Sequence, residues 1–533
     1  MASTRDETIR EVTETYLQTI NPKHPPSPDV IQGAILDDIA VKFQITNAVR
    51  SSGKWRLPDR LNPPQIAQVL AYLYPIVLID TGTSNQESDY MLLGMYQTSG
   101  PNMGIYVTQD EVFRKLARQY CYSLSRREFE EMILVLRDIV PIRKPCREPN
   151  LVAVNNGIFD YDTKTMLPFT PDLVFLSKSK VDYNPNAKNV VIHNPDDNTD
   201  WDVESWMREL SDDKDVVELL WKILGAVIRP NVPWNKAAWF YSESGNNGKG
   251  TLCELMRQLV GEGSYASIPL SDFGKDFMLE PLTHVSAIIV DENDVGTYID
   301  KAANLKAVVT GDAIQINRKF KTPIPYRFHG FMVQCLNEMP RIRDKSDSFY
   351  RRQLFIPFLK CFTGAERKYI KHDYLHRQDV LEYVLYRVLH MNYYDLDAPV
   401  SCQQALAEYK EYNDPLRQFA EEMIPQLQWD LVPFSFLYDL YTAWYKKNYP
   451  GRGEMKSSIS FTKDWLLLLP DYPEWASDKK VVYKPYSRMD KTEPLIAEYD
   501  LTNWMDPRYT ASKDIDKRCH PVLKSSYRGM YRS

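Results

Sequence analysis

Between residues 205 and 395 the chain repeats one pattern. A short run of continuous apolar residues is followed by a longer stretch with apolar positions three and four apart. The runs are Ala237 to Tyr241, Ala287 to Val290 and Gly330 to Leu336. A strand with one wet face alternates polar and apolar residues. These runs do not alternate, so they predict strands buried on both faces, in a parallel sheet covered by helices. The expected fold class is therefore α/β.

Elsewhere the pattern differs. Residues 1–95 begin with a helical stretch, pass through the Pro-rich Asn21 to Pro28, and reach an apolar segment at Pro75 to Ile79. They suggest no chemistry. Thr108 with Glu111, and Ser125 with Glu128, have the spacing of capping boxes and predict two helices. Leu151 to Asp160 reads as strand-rich, and the polar Asp196 to Asp202 reads as a linker. From 415 to 505 the chain is helical and aromatic. Leu437, Leu440, Tyr441 and Trp444 recur at helical spacing and predict a core-facing helix, with a second from Ser457 to Leu469. The expected divisions are an N-terminal domain 1–95, a helical-plus-strand module 96–200, an α/β domain 205–395, a domain 410–505 and a basic tail 506–533.

Composition narrows the class. A chain of 533 residues can bury several cores. Its 44% hydrophobic and 26% charged residues are those of a soluble globular protein. No apolar run is long enough to span a bilayer, and the polar, acidic first residues do not resemble a signal peptide. A cytoplasmic protein without membrane contact is expected. The seven cysteines are scattered without a C-x-x-C pair, which argues against a disulfide framework or a zinc site. A net charge of −6 excludes a surface coated with DNA-binding charge but not a narrow basic channel.

The run Ala237 to Tyr241 leads into Ser242-Glu-Ser-Gly-Asn-Asn-Gly-Lys-Gly-Thr251 and then a helix. Strand, glycine-bearing loop, lysine and helix form a phosphate cradle. Backbone N–H groups of Gly245, Asn246, Asn247, Gly248, Gly250 and Thr251 would face the anion, and Lys249 would reach the outer phosphates. Two positions depart from the usual loop. Glu243 stands for its first glycine, and Gly250 stands where Ser or Thr normally ligates magnesium, with Thr251 one residue late. The plain alternative is a Gly-Asn turn.

Three further strand ends carry suitable chemistry. Asp291 and Glu292 follow Val290; Asp291 would hold a metal ion together with Thr251, and Glu292 would polarise the attacking water. Asn337 ends another strand, where an amide can orient water or merely cap a turn. Arg351 and Arg352 precede an apolar strand and suit γ-phosphate charge, often from a neighbouring subunit, unless they are a surface pair. Between these motifs, residues 313–328 read as a β-hairpin whose tip, Arg318, Lys319, Phe320 and Lys321, is basic and aromatic. Such a tip can contact phosphates and stack on bases, or be a solvated turn.

Taken together, these motifs resemble superfamily 3 helicases, in the branch of phage and plasmid primase-helicases and the poxvirus primase-helicase. The stretch Thr310-Gly-Asp312 through Lys321 is similar to that family's DNA-gripping hairpin, and Val154 to Asp160, Phe169 to Asp172 and Val181 to Ala187 are similar to the module before its motor. The resemblance implies an AAA+-like motor preceded by an α+β collar and followed by a winged-helix-like domain. It implies a hexamer hydrolysing ATP with Mg2+ and moving on single-stranded DNA for a phage, plasmid or mobile element in a bacterial cytoplasm. Origin duplex DNA and a separate primase or host replication proteins are the expected partners, with no fused primase. The competing readings are a remodelling or packaging ATPase and a catalytically weak origin-binding initiator.

Overall fold

The structure is a computed structural model that describes residues 4–82, 88–299, 301–319, 321–342, 344, 346–364, 367–448, 455–478 and 481–532. It divides into two units, Met1–Leu406 and Ala407–Ser533.

The first unit opens with α1 (Arg5–Leu17), α2 (Pro28–Ala48) and α3 (Pro63–Leu73). Reciprocal capping boxes start α1 (Thr4 with Glu7) and α3 (Asn62 with Gln65). Next come β1 (Ile76–Ile79), β2 (Leu92–Tyr96), β3 (Tyr106–Val107), α4 (Asp110–Tyr120), α5 (Arg126–Ile139) and β4 (Ile142–Arg143). The strands form one sheet in the order β3-β2-β1-β4. Ile35, Ile66, Leu93, Phe113 and Met132 share one core. The division expected at residue 95 therefore separates nothing, because β1 pairs with both β2 and β4 across it. Ser125 and Glu128 form the expected box on α5. On α4 the cap position belongs to Gln109, which makes no side-chain cap bond, so the Thr108 box does not form.

A three-stranded antiparallel sheet follows: β5 (Leu151–Val154), β6 (Gly157–Asp160) and β7 (Thr165–Leu167). The polar stretch near 200 is not a linker. It closes a hairpin of β8 (Ile192–Asn194) and β9 (Thr199–Trp201), because Asn194 and Asp197 accept from turn N–H groups and Trp201 is buried. Asp202 then caps α6 (Val203–Glu209) through the N–H of Ser205.

After α7 (Lys214–Ile228), the five-stranded sheet begins with β10 (Ala237–Tyr241), followed by α8 (Lys249–Val260), β11 (Tyr265–Ala266) and β12 (Ala287–Val290). β13 (Tyr298–Ile299), α9 (Ala303–Thr310), and the hairpin strands β14 (Ala313–Arg318) and β15 (Lys321–Arg327) come next. Then follow β16 (Phe331–Leu336), β17 (Arg341–Ile342), α10 (Asp347–Tyr350), β18 (Gln353–Pro357), α11 (Lys368–His372), α12 (Gln378–Leu389) and α13 (Val400–Asn413). The sheet runs β11-β12-β16-β10-β18, and every pairing is parallel. β10, β12 and β16 carry almost no exposed residue, as continuous apolar runs require. β14 and β15 pair only with each other, apart from that sheet.

The second unit orders its main elements α14 (Pro415–Met423), β19 (Leu431–Pro433), α15 (Phe434–Asn448), α16 (Ser458–Leu468), β20 (Trp475–Ala476) and β21 (Gly529–Arg532). The last strand sits between the other two, antiparallel to both. The basic residues from 506 onward are therefore not a free tail: Cys519 and Met530 are fully buried in this unit's core. Leu437, Leu440, Tyr441 and Trp444 face that core as their spacing requires. Phe419 is its hub, meeting Tyr441, Trp444, Phe461 and Trp465 edge-on with centroids 5.3–6.3 Å away. Phe419→Ala leaves a cavity among rings that cannot collapse, and should cost this unit about 3–5 kcal/mol. Chemical denaturation followed by tryptophan fluorescence checks this; a loss under about 1 kcal/mol would contradict the packing.

Candidate nucleotide and nucleic-acid sites

Parallel pairing brings three strand ends together. Tyr241 is level with Leu336, and Val290 with Gln334, so the chain leaves β10, β16 and β12 side by side. The loop 242–248, Asn337 and the Asp291–Glu292 pair all lie at this edge. Open parallel sheets bind ligands beyond their carboxyl ends.

The loop is built from polar backbone contacts. Asn246 and Gly248 adopt positive φ of 52° and 86°, which aligns the turn before α8. Asn247 is 4% exposed; its side chain donates to Ser244 O and accepts from Lys249 N. From the other side, Phe362 N donates to Asn246 O at 2.7 Å. α8 then starts at Lys249, so its free N–H groups point into the loop, where an anion is favoured.

Lys249 is 5% exposed, and its Nζ donates to Ser242 O at 3.3 Å and to Asn337 Oδ1 at 3.0 Å. The structure thus joins two residues that lie 88 positions apart in sequence. Burial lowers the Lys249 pKa below its ordinary value, while Cys335, Cys253 and Asp291 nearby pull it upward. An ammonium held this way is short of counter-charge, as a phosphate-facing cation should be.

Asp291 explains Gly250. A Cβ at position 250 would stand 2.8 Å from Asp291 Oδ1. The carboxylate occupies the space a Ser or Thr would need. Arg257 Nη1 and Lys371 Nζ lie 3.7 and 3.9 Å from Asp291 Oδ2. Glu292 is exposed at the same edge. Thr251 does not join them: it lines a cavity with Trp206, Leu210, Phe362, Ile370 and Lys371, and Asp291 is not part of that lining. The expectation that Thr251 shares a metal with Asp291 is thus unsupported by the geometry, because one residue along a helix turns the side chain by about 100°.

Arg351 and Arg352 are not brought to this edge. Gln353 pairs with Ala237, at the opposite end of β10 from the loop. Five strand residues separate the two ends, roughly 15 Å. There the arginines line a second cavity with Trp234, Lys236 and Thr310. Arg352 is tied back to Ser348, whereas Arg351 is exposed.

The hairpin meets the N-terminal part of the first unit. Lys321 Nζ pairs with Asp110 Oδ2 at 2.8 Å, and Asn317 donates to Asp276 at 3.0 Å. Arg318 is turned inward on its own strand pair, donating twice to Thr322 O. Lys319 lies at the turn, and Phe320 falls outside the described residues.

Sequence reasoning missed several residues of this edge. Asn293, 5% exposed, donates to Gln334 Oε1 and Cys335 O and accepts from Leu270 N, locking β12 to β16. Gln334, fully buried, donates to Ile268 O. For Gln334 a polar residue inside an apolar run was the available signal, whereas Asn293 stands in a polar stretch that gave none. Arg257 and Lys371 had none, since a single cation on a helix has no distinguishing pattern.

Three family descriptions match separate stretches: "D5 N terminal like" at residues 86–212, "Family of unknown function (DUF5906)" at 240–352, and "Poxvirus D5 protein-like" at 411–503. A protein of Acanthamoeba polyphaga mimivirus, provisionally named helicase L207/L206, is 24% identical over 336 residues, which are 57% of this chain. The chain spans 33% of that relative's length. Two solved apo structures of the NrS-1 C-terminal region align at TM-scores of 0.43 and 0.42 with 13% identity, covering 89% and 80% of this chain and 100% and 97% of theirs. Scores that low carry no argument. The two D5-type matches, at residues 86–212 and 411–503, flank the stretch that holds the phosphate loop, so the chain is similar to D5-like proteins on both sides of that loop.

Proposed function

We infer that the chain is an ATP-dependent DNA helicase of replication, working as a ring, for a phage, plasmid or other mobile element. The observation that carries this reading is the bond from Lys249 Nζ to Asn337 Oδ1, beside an Asp291 carboxylate seated against Gly250. A buried cation, an amide and a carboxylate at three adjacent strand ends are the parts that nucleotide hydrolysis needs.

In this reading the loop N–H groups and the start of α8 hold the phosphates of ATP, and Lys249 exchanges Asn337 for a terminal phosphate oxygen. Asn337, released, is then free to orient water. Glu292 accepts the proton as that water attacks the γ-phosphorus and the bond to the β-phosphate oxygen breaks. Mg2+ suits an oxygen donor placed at the first turn of the helix, and Asp291 would hold it; when bound, it offsets the charge on the phosphate oxygens. Gly250 thus favours an active site over a catalytically weak initiator, because the carboxylate fills the place of the missing hydroxyl.

Arg351 is directed away from its own loop and is assigned to the neighbour's γ-phosphate. That assignment needs a head-to-tail interface, which closes into a ring, and the family resemblance makes that ring a hexamer. Lys319 and Lys321 are assigned to single-stranded DNA, with the ion pair to Asp110 as a resting contact worth at most about 1 kcal/mol, since both partners are near half exposed. The helix-strand-helix-helix-strand-strand order of the second unit favours a winged-helix-like role on origin duplex DNA.

Lys249→Ala removes the phosphate-facing cation and should reduce ATP turnover to background with the circular dichroism spectrum unchanged; near-normal turnover would refute the site. Arg351→Ala and Lys249→Ala proteins, each inactive alone, should regain turnover when mixed, because a mixed ring contains interfaces with both residues intact. A mixture that stays inactive would place Arg351 outside a shared site. Replacing both Lys319 and Lys321 by Ala should remove DNA stimulation and lower the salt slope of single-strand binding by about 0.7 per lost contact; an unchanged slope would make the tip a solvated turn.

A further inference from the structure

Two thiols meet beneath the phosphate loop, and the hydrolysis scheme uses neither. Cys253 lies one turn into α8, and Cys335 lies two residues before Asn337 on β16. Their sulfurs are 3.3 Å apart, and the residues are 0% and 1% exposed. β12 runs parallel to β16 with Val290 level with Gln334, which sets Asp291 beside Cys335. Both sulfurs and a carboxylate oxygen of Asp291 lie within 4.8 Å of one another.

We propose that Cys253, Cys335 and Asp291 form a binding site for a thiophilic divalent cation of the Zn2+ class. Such an ion takes sulfur at about 2.3 Å and carboxylate oxygen at about 2.1 Å, so tetrahedral ligand atoms stand roughly 3.5–3.8 Å from each other. The sulfurs at 3.3 Å and all three atoms within 4.8 Å of one another bracket that spacing. The fixed elements supply the preorganisation: one ligand on a helix and two on adjacent strands. Entry is through Asp291, whose side chain is 35% exposed, and that open side leaves the fourth position to water. Binding releases one proton from each thiol to solvent. Two thiolates and a carboxylate then exceed the ion's charge by one, and Lys249, close enough to act on all three groups, balances it. Mg2+ does not compete for sulfur, because hard cations prefer oxygen. The spacing of the two cysteines in sequence shows no C-x-x-C pattern, which is why composition argued against zinc.

The site shares Asp291 with the proposed Mg2+ position. Resting on the reading of that position, the soft cation would hold the carboxylate away from Mg2+ and stop turnover. A metal-sensitive brake would then be built into the phosphate site.

The test uses the full chain and Co2+ as an optical stand-in for Zn2+. One Co2+ per chain should give a thiolate charge-transfer band, which Zn2+ abolishes by displacement. Cys253→Ser and Cys335→Ser should each remove the band and weaken Zn2+ binding by on the order of 100-fold. Cys→Ala versions, checked by circular dichroism, guard against a serine that fails to pack. No band, or a band that persists in either variant, overturns the site. Separately, the ratio of ATP turnover with and without Zn2+ should fall well below one in the unaltered chain and stay near one in the double variant. A thiolate band together with a ratio near one in the unaltered chain removes Asp291 from the ligand set and overturns the three-ligand site. A chain that hydrolyses no ATP would refute the hydrolysis reading while the Co2+ titration still decides the metal site.

Discussion

β16 is held between β12 and β10, and the candidate phosphate site depends on that placement. The chain makes β10 first, crosses through α8 to the far edge at β11, returns through β12, and only then inserts β16 in the gap. Parallel pairing fixes the register, so Asn337 emerges beside the loop that follows Tyr241, and Asp291 emerges on its other side. Slipping β16 by one residue would turn Cys335 and Gln334 to the wrong faces and break the bond to Lys249. Asn293 guards against this slip with two donated bonds into β16.

Charge arrangement follows from that register. Among the described residues Lys249 has no carboxylate bonded to it, while Asp291 stands near Arg257 and Lys371 with its shortest ion pair at 3.7 Å. Neither ion is fully compensated, which is costly in the absence of ligand and favourable for one that brings both anionic phosphates and a cation. Cys335 lies between them, its thiol pushed well above its ordinary pKa by burial and then by Cys253 and Asp291. The two arginines occupy the other end of the sheet, away from the phosphate loop.

Much of this was legible in the sequence. Continuous apolar runs mark β10, β12 and β16, and the helical spacing of Leu437 to Trp444 marks α15, because burial on both faces or on one stripe leaves a pattern within a single element. Asn337 was legible as a strand end, though its bond to Lys249 was not. Long-range contacts leave no local trace, which is why the core crossing residue 95, the pairing of β21 and the thiol contact needed the fold. The polar stretch near 200 misled because a hairpin turn and a linker use the same residues. Loop spacing does not say which side of the helix meets the carboxylate, and the structure sets Gly250 against it.

The central claim is that this edge hydrolyses nucleotide in response to DNA. Its most direct measurement is steady-state ATP turnover of the full chain with Mg2+, without and with single-stranded DNA. The account predicts measurable turnover that rises when the DNA is added and is lost without Mg2+. Absence of turnover under both conditions, with ATP failing to bind at all, would contradict it.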